Sequence, residues 1–235
     1  MPDTKKAKTY EENTKEQYEA LGRFVEAFEA MVNEVRESTI ALIERDGKHR
    51  RLIEIVLHHQ VLTAKPLYEI FRAVVVEVVD DAISLKKAKA GRVFDRDPPL
   101  VVDLMEKALQ FASADRDVFL GVMGTIADEY NTLVNKRNNL LHATWFIHFQ
   151  GSGDPSCSEF YVRKYATTKQ GLTTVELPKN APELRELSKR CEVTRNWIAS
   201  LHSCLRGSSY IRERFEYHGK KWWLVTPGGH KTTLP

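Results

Sequence analysis

From Tyr10 onward, apolar side chains return every three or four residues. Tyr18, Leu21, Phe24, Val25, Phe28, Met31, Val32, Val35, Ile40 and Leu42 recur largely at helical spacing, which predicts one long amphipathic helix reaching about Arg45. The stretch "RDGK" at 45–48 ends it, with Gly47 as the stop. The same period predicts a second helix over about 49–62, carrying Leu52, Ile53, Val56 and Leu57 inward. Pro66 suits the first turn of a third helix, which continues through "LYEIFRAVVVEVVDDAISLKKAKA" until Gly91 and "DRDPP" at 95–99 break it. A fourth is expected from Leu100 to about Ala114. "SADRDVF" at 113–119 then reads as a turn and restart, capped by Ser113 or Asp115. A fifth runs through "VFLGVMGTIADEYNTLVNKRNNLLHATW".

After Trp145 the period shortens. "WFIHFQ", "SEFYVRKYAT" and "LTTVEL" carry aromatic and β-branched residues, separated by the turn formers "GSGDPS" and "KQG", and predict two or three antiparallel strands. From Pro178 the helical period resumes, with Leu184, Leu187, Cys191, Val193, Ile198, Leu201 and Leu205 as its inward stripe and Gly207 as its end. The pattern therefore predicts an all-α, multi-helix up-down bundle with a small antiparallel β insertion at about 145–176, before the last long helix. Residues 1–9 read as a disordered tail, 10–207 as one helical domain, and 208–235 as a C-terminal extension packing on the surface or on a partner.

Composition narrows the class. The chain has 235 residues, 42% hydrophobic and 29% charged, enough for a continuous core under a charged surface. Its longest apolar run, "AVVVEVVDDAI", is interrupted by Glu77 and Asp80, so no membrane span or membrane partner is expected. The polar start "MPDTKKAKTYEENTKEQ" lacks the apolar core of a secretory leader. With three widely spaced cysteines, 157, 191 and 204, this leads to the expectation of a cytoplasmic protein with reduced thiols. A net charge of +3 is too mild to indicate nucleic-acid binding by itself.

One stretch departs from ordinary helix composition. On a 3.6-residue turn, Asp128, Asn131, Asn135, Asn138, Asn139 and His142 share one face for nearly four turns. Ile126, Tyr130, Leu133, Val134, Leu140 and Leu141 lie opposite, with Arg137 at their margin. Asn is a poor helix former because its amide competes with the backbone. Three of them between 135 and 139 cost about 1–2 kcal/mol relative to alanine. A fixed hydrogen-bond network lining a groove would offset that cost. Arg137 and His142 stand about 140° apart on an ideal helix.

The segment "RNNLLH" at 137–142 resembles the Arg-x(4–6)-His signature of the HEPN superfamily, with a polar residue directly after the arginine. HEPN domains are helical bundles that carry this motif near the end of a long helix, and they include metal-independent endoribonucleases of toxin–antitoxin, abortive-infection and CRISPR-associated systems. The resemblance implies a cytoplasmic homodimer acting on RNA, with no metal and no cofactor, and restrained by an antitoxin or regulatory protein. It implies that His142 acts as general base or acid, that Arg137 stabilises charge on the phosphorus centre, and that Asn138 orients the histidine or the phosphate. Asn135, Asn139 and Lys136 are the accompanying RNA-binding or orienting candidates. The chemistry is sound: imidazole exchanges protons near neutral pH, and guanidinium offers a fixed charge and forked donors. Other readings stay open. Arg137 can pair with a carboxylate across the bundle, His142 can cap the helix C-terminus, and the domain can serve as a non-catalytic RNA-binding, protein-interaction or dimerisation module.

The remaining constellations carry less. No Glu-x-x-His occurs, and His58 and His59 diverge on a helix. Asp80 and Asp81 read as solvent-exposed. Cys157, Cys191, His202 and Cys204 lack zinc spacing. "GVMG" at 121–124 reads as a close helix contact. "KKWWLV" at 220–225 reads either as a base-stacking segment or, preferentially, as a strand-like tail packing its aromatics on the bundle.

Overall fold

The computed structural model describes residues 10–44, 50–58, 62–89, 113–142, 144–146, 161–163, 165–168, 171–174, 177–178, 180–207 and 209–235. Its described residues are mostly helical: α1 (Tyr10–Ile43), α2 (Arg50–Leu57), α3 (Ala64–Lys89), α4 (Ser113–Leu141), α5 (Ala181–Leu205) and the short α6 (Ile211–Arg214). The predicted helix over 100–112 and the 1–9 tail lie outside the described residues, as does Cys157. Between α4 and α5 run two antiparallel pairs, β1 (Thr144–Phe146) with β2 (Tyr161–Arg163) and β3 (Tyr165–Thr168) with β4 (Gly171–Thr174). No described helix is long and apolar enough to cross a membrane.

The chain divides into two compact units, 1–29 with 132–192 and 30–131 with 193–235. In the first, Phe24 and Phe28 of α1, Leu133 and Leu140 of α4, and Leu184 and Cys191 of α5 are buried, which accounts for those positions in the hydrophobic period. Helix α5 starts where local chemistry dictates. Asn180 Oδ1 accepts from the Glu183 backbone N–H at 3.0 Å, and the Asn180 amide donates to the Glu183 carboxylate at 3.1 Å, a reciprocal cap three residues apart.

In the second unit the largest buried side chains are Trp197, Tyr68, Tyr130, Phe71 and Phe119. Tyr68 and Tyr130 stack at 4.7 Å, and the Tyr68 hydroxyl donates to the Met123 carbonyl at 2.9 Å. Arg116 grips both oxygens of Asp80, at 2.6 and 3.2 Å, at a half-exposed site that agrees with the surface reading of that aspartate. Burial, followed by the Arg206 cation, pushes the His202 imidazole below the usual histidine range. An unfolded chain then takes up a proton that the fold resists, so stability is full above about pH 6.5 and declines as pH falls below it. His202→Gln is expected to flatten the dependence of urea unfolding on pH between about 6.5 and 5.

Three expectations are corrected. There is no turn within 114–119: α4 begins at Ser113 and is continuous, and Asp115 lies inside its first turn, where the Arg212 guanidinium donates to its carboxylate at 2.6 Å. Only Leu57 of α2 is buried. Ile53 is half-buried, while Leu52 and Val56 are 67% and 58% exposed, because an eight-residue helix with apolar residues on two sides can bury only one. Among the described residues the glycines of "GVMG" make no close helix contact, although Met123 between them meets α3 through Tyr68. A Cβ at Gly121 would stand 2.9 Å from the Trp222 indole, and one at Gly124 would meet nothing within 4 Å.

Within the C-terminal extension, residues 215–232 form a three-stranded antiparallel meander in the order β5 (Phe215–His218), β6 (Lys221–Val225), β7 (Lys231–Thr232). It packs through Trp222 on Gly121 and through Phe215 on Trp197, at 5.4 Å between rings, which bears out the packing reading of "KKWWLV". Gly219 and Lys220, with φ of 61° and 66°, make the two-residue turn between β5 and β6, a turn that needs positive φ at both positions. Lysine pays about 1–2 kcal/mol there that glycine does not. Lys220→Gly is expected to raise the thermal midpoint by about 2–4 °C in a circular-dichroism melt.

Candidate functional site

The last turns of α4 are pinned by Leu133, Val134 and Leu140, all buried. This orientation fixes where the polar stripe goes. Asp128, Asn135 and His142 are exposed, and Asn131, Asn138 and Asn139 are half-buried, so the stripe runs along accessible surface. Arg137 sits at the margin, half-buried, as its place on the helical wheel requires.

The Arg137 guanidinium is the best-determined element of the site. Its Nη2 donates to Glu29 Oε1 at 3.2 Å, and its Nη1 points to Asn138 Oδ1 at 3.4 Å. The Phe28 ring lies under it at 5.6 Å. Its Nε is buried without an acceptor. The side chains of Arg137 and Glu29 are 29% and 55% exposed, so the pair lies at the surface, in water's reach. Such a pair contributes about 0–1 kcal/mol. A phosphate, with charge and two acceptor oxygens, can therefore exchange for Glu29 at little cost in folding energy.

His142 follows the last helical residue. Its backbone N–H donates to the Asn138 carbonyl at 3.1 Å, closing the final turn, while its side chain is exposed. Asn138 thus touches both proposed catalytic residues, Arg137 through its side chain and His142 through its backbone. Lys136 lies elsewhere. It lines a groove of about 390 Å³ with Leu177, Pro178 and Leu187, and with Glu183, Glu186 and Arg190, whose two carboxylates weaken any attraction for phosphate. None of the other five candidate residues lines that groove.

Sequence reasoning missed Phe28 and Glu29. Phe28 was visible as part of the apolar stripe of α1, and Glu29 follows it, but nothing in the periodicity of either helix sets the register in which α1 meets α4. A comparison of the chain with protein-family models, curated proteins and solved structures finds no match in any of the three.

Proposed function

We propose that the protein is a HEPN-like, metal-independent endoribonuclease on an up-down helical bundle, with Arg137, Asn138 and His142 as its working residues. The observation that carries the reading is the end of α4: a guanidinium held at the surface by a weak, exchangeable partner, beside an asparagine that also closes the turn bearing an exposed histidine. In this scheme the RNA 2′-oxygen attacks the adjacent phosphorus and its proton passes to an imidazole. Charge collects on the non-bridging oxygens facing Arg137. The 5′-oxygen departs with a proton from an imidazolium, leaving a 2′,3′-cyclic phosphate and a 5′-hydroxyl. A homodimer supplies two histidines, one for each proton transfer, and answers the separation of Arg137 from His142 around a single helix. The biological setting that follows from the resemblance is a toxin-like role in stress or phage defence, under an antitoxin or regulatory protein.

A second reading is favoured by the same Arg137–Glu29 pair: the motif braces α1 against α4 in a non-catalytic RNA-binding or interaction module. The end groups of the products decide between them. Cyclic phosphate ends, and their loss when the 2′-hydroxyl at the cleaved position is replaced by hydrogen, are expected from the nuclease. An RNA that stays intact, or a 2′-deoxy site cut equally well, contradicts it.

A further inference from the structure

The net charge of the chain is concentrated at one end. Residues 206–235 contain six Lys and Arg against two Glu, a balance of +4 where the whole chain has +3. The β5–β7 meander gives those charges a platform. Its register pairs Phe215 with Leu224, Tyr217 with Trp222 and His218 with Lys221, so Phe215, Tyr217, Trp222 and Leu224 share one face. Phe215 and Leu224 are buried, and Trp222 is held against Gly121. Tyr217, at the outer end of that row, is not. Its ring meets Trp222 at 5.0 Å between centroids with the planes inclined by 53°, and the residue is 61% exposed. A large aromatic braced from behind and open in front is what a nucleobase needs in order to stack.

The charge available to a polyanion lies at the hairpin tip. Tyr217, His218, Trp222, Arg212, Lys231 and one carboxylate, Glu216, line an open cleft of about 630 Å³. Arg212 is engaged with Asp115 and Lys231 with Glu216, so those cations are already balanced. Lys220 and Lys221 at the hairpin tip are exposed, Lys221 on the face opposite Tyr217 by the same register, and among the described residues no carboxylate pairs with them. Lys220 occupies the left-handed turn position that glycine fills without strain. A cation kept there at the expense of the turn is an outlier that points to use.

We infer that the β5–β6 hairpin is a binding surface for single-stranded nucleic acid, with a base stacking on Tyr217 and the neighbouring phosphates crossing the tip at Lys220 to Lys221 on its other face. In naming RNA as the strand it rests on the function proposed above; binding, unlike cleavage, is read without the α4 motif. Stacking on a ring accepts any base, so the surface holds a strand without selecting its sequence.

The test uses the full chain carrying His142→Ala, so that bound RNA stays intact, with fluorescence anisotropy of labelled oligo(U), the matching oligo(dT) and a duplex. Tyr217→Ala is expected to weaken oligo(U) binding about tenfold, and Tyr217→Phe to restore most of it. Lys220→Gly with Lys221→Gln is expected to reduce the slope of log affinity against log salt by about 1.4. Lys220→Gly, which relieves the turn, separates the two roles: it must weaken binding while the protein stays folded. Unchanged affinity in Tyr217→Ala and in the lysine pair overturns the proposal. So does tighter binding of the duplex, or affinity confined to an acidic peptide or anionic vesicles. Binding that falls in these variants as expected, without any cleavage by the wild-type protein, would instead sink the nuclease and leave this surface standing.

Discussion

Trp197→Ala is expected to destabilise the protein by about 3–5 kcal/mol, the largest effect of any single truncation in the described core. The side chain is fully buried and meets Phe215 in an edge-on contact at 5.4 Å, which ties α5 to the C-terminal meander. Alanine would remove the ring, open a cavity and leave Phe215 without its partner. Trp197→Phe separates packing from polarity. The indole Nε1 is buried without an acceptor, a condition that costs about 1–3 kcal/mol. Phenylalanine removes that orphan donor while keeping much of the volume, so it should lose far less than alanine. Urea unfolding followed by circular dichroism reads both. Equal losses for Phe and Ala would mean that the indole nitrogen has a partner in solution.

The second large effect falls on Arg137. In its proposed role of receiving negative charge from the reacting phosphate, its replacement by alanine should lower RNA cleavage about 10²- to 10³-fold. Arg137→Lys should recover little, because the ammonium keeps the charge but loses the fork. Glu29→Gln sets the nuclease against the brace. It removes a surface pair worth about 0–1 kcal/mol, so the fold should persist, and a guanidinium released from its carboxylate should cleave as well as before or better. A Glu29→Gln protein that is markedly destabilised and no less able to bind RNA would favour the brace.

The helices were legible because each buries a stripe: Phe24 and Phe28 of α1, or Leu184, Leu187 and Cys191 of α5, return at helical spacing and are buried. The Asn-rich face of α4 was legible for the complementary reason, since residues that destabilise a helix stand out in one. Elements of about two periods or fewer were not. Helix α2 offered apolar residues to both sides, and sequence could not say that Leu57 goes in while Leu52 and Val56 stay out. The meander was missed as a sheet because its turn, Gly219–Lys220, lacks the usual Asn-Gly signature, and because Trp222 depends on a glycine about a hundred residues away for its seat. The partners of Arg137 were hidden in the same way. Glu29 looks like any exposed helical glutamate until α1 and α4 are in register.

The central proposal is that the end of α4, paired with its copy in a homodimer, cleaves RNA through proton transfer at His142 and without a metal. The direct measurement is single-turnover cleavage of single-stranded and structured RNA by the purified full chain in EDTA, beside His142→Ala with its fold checked by circular dichroism. The account predicts cleavage by the wild-type protein that survives EDTA and falls about 10²- to 10⁴-fold in the variant. Equal cleavage by both proteins, or none by either, would contradict it.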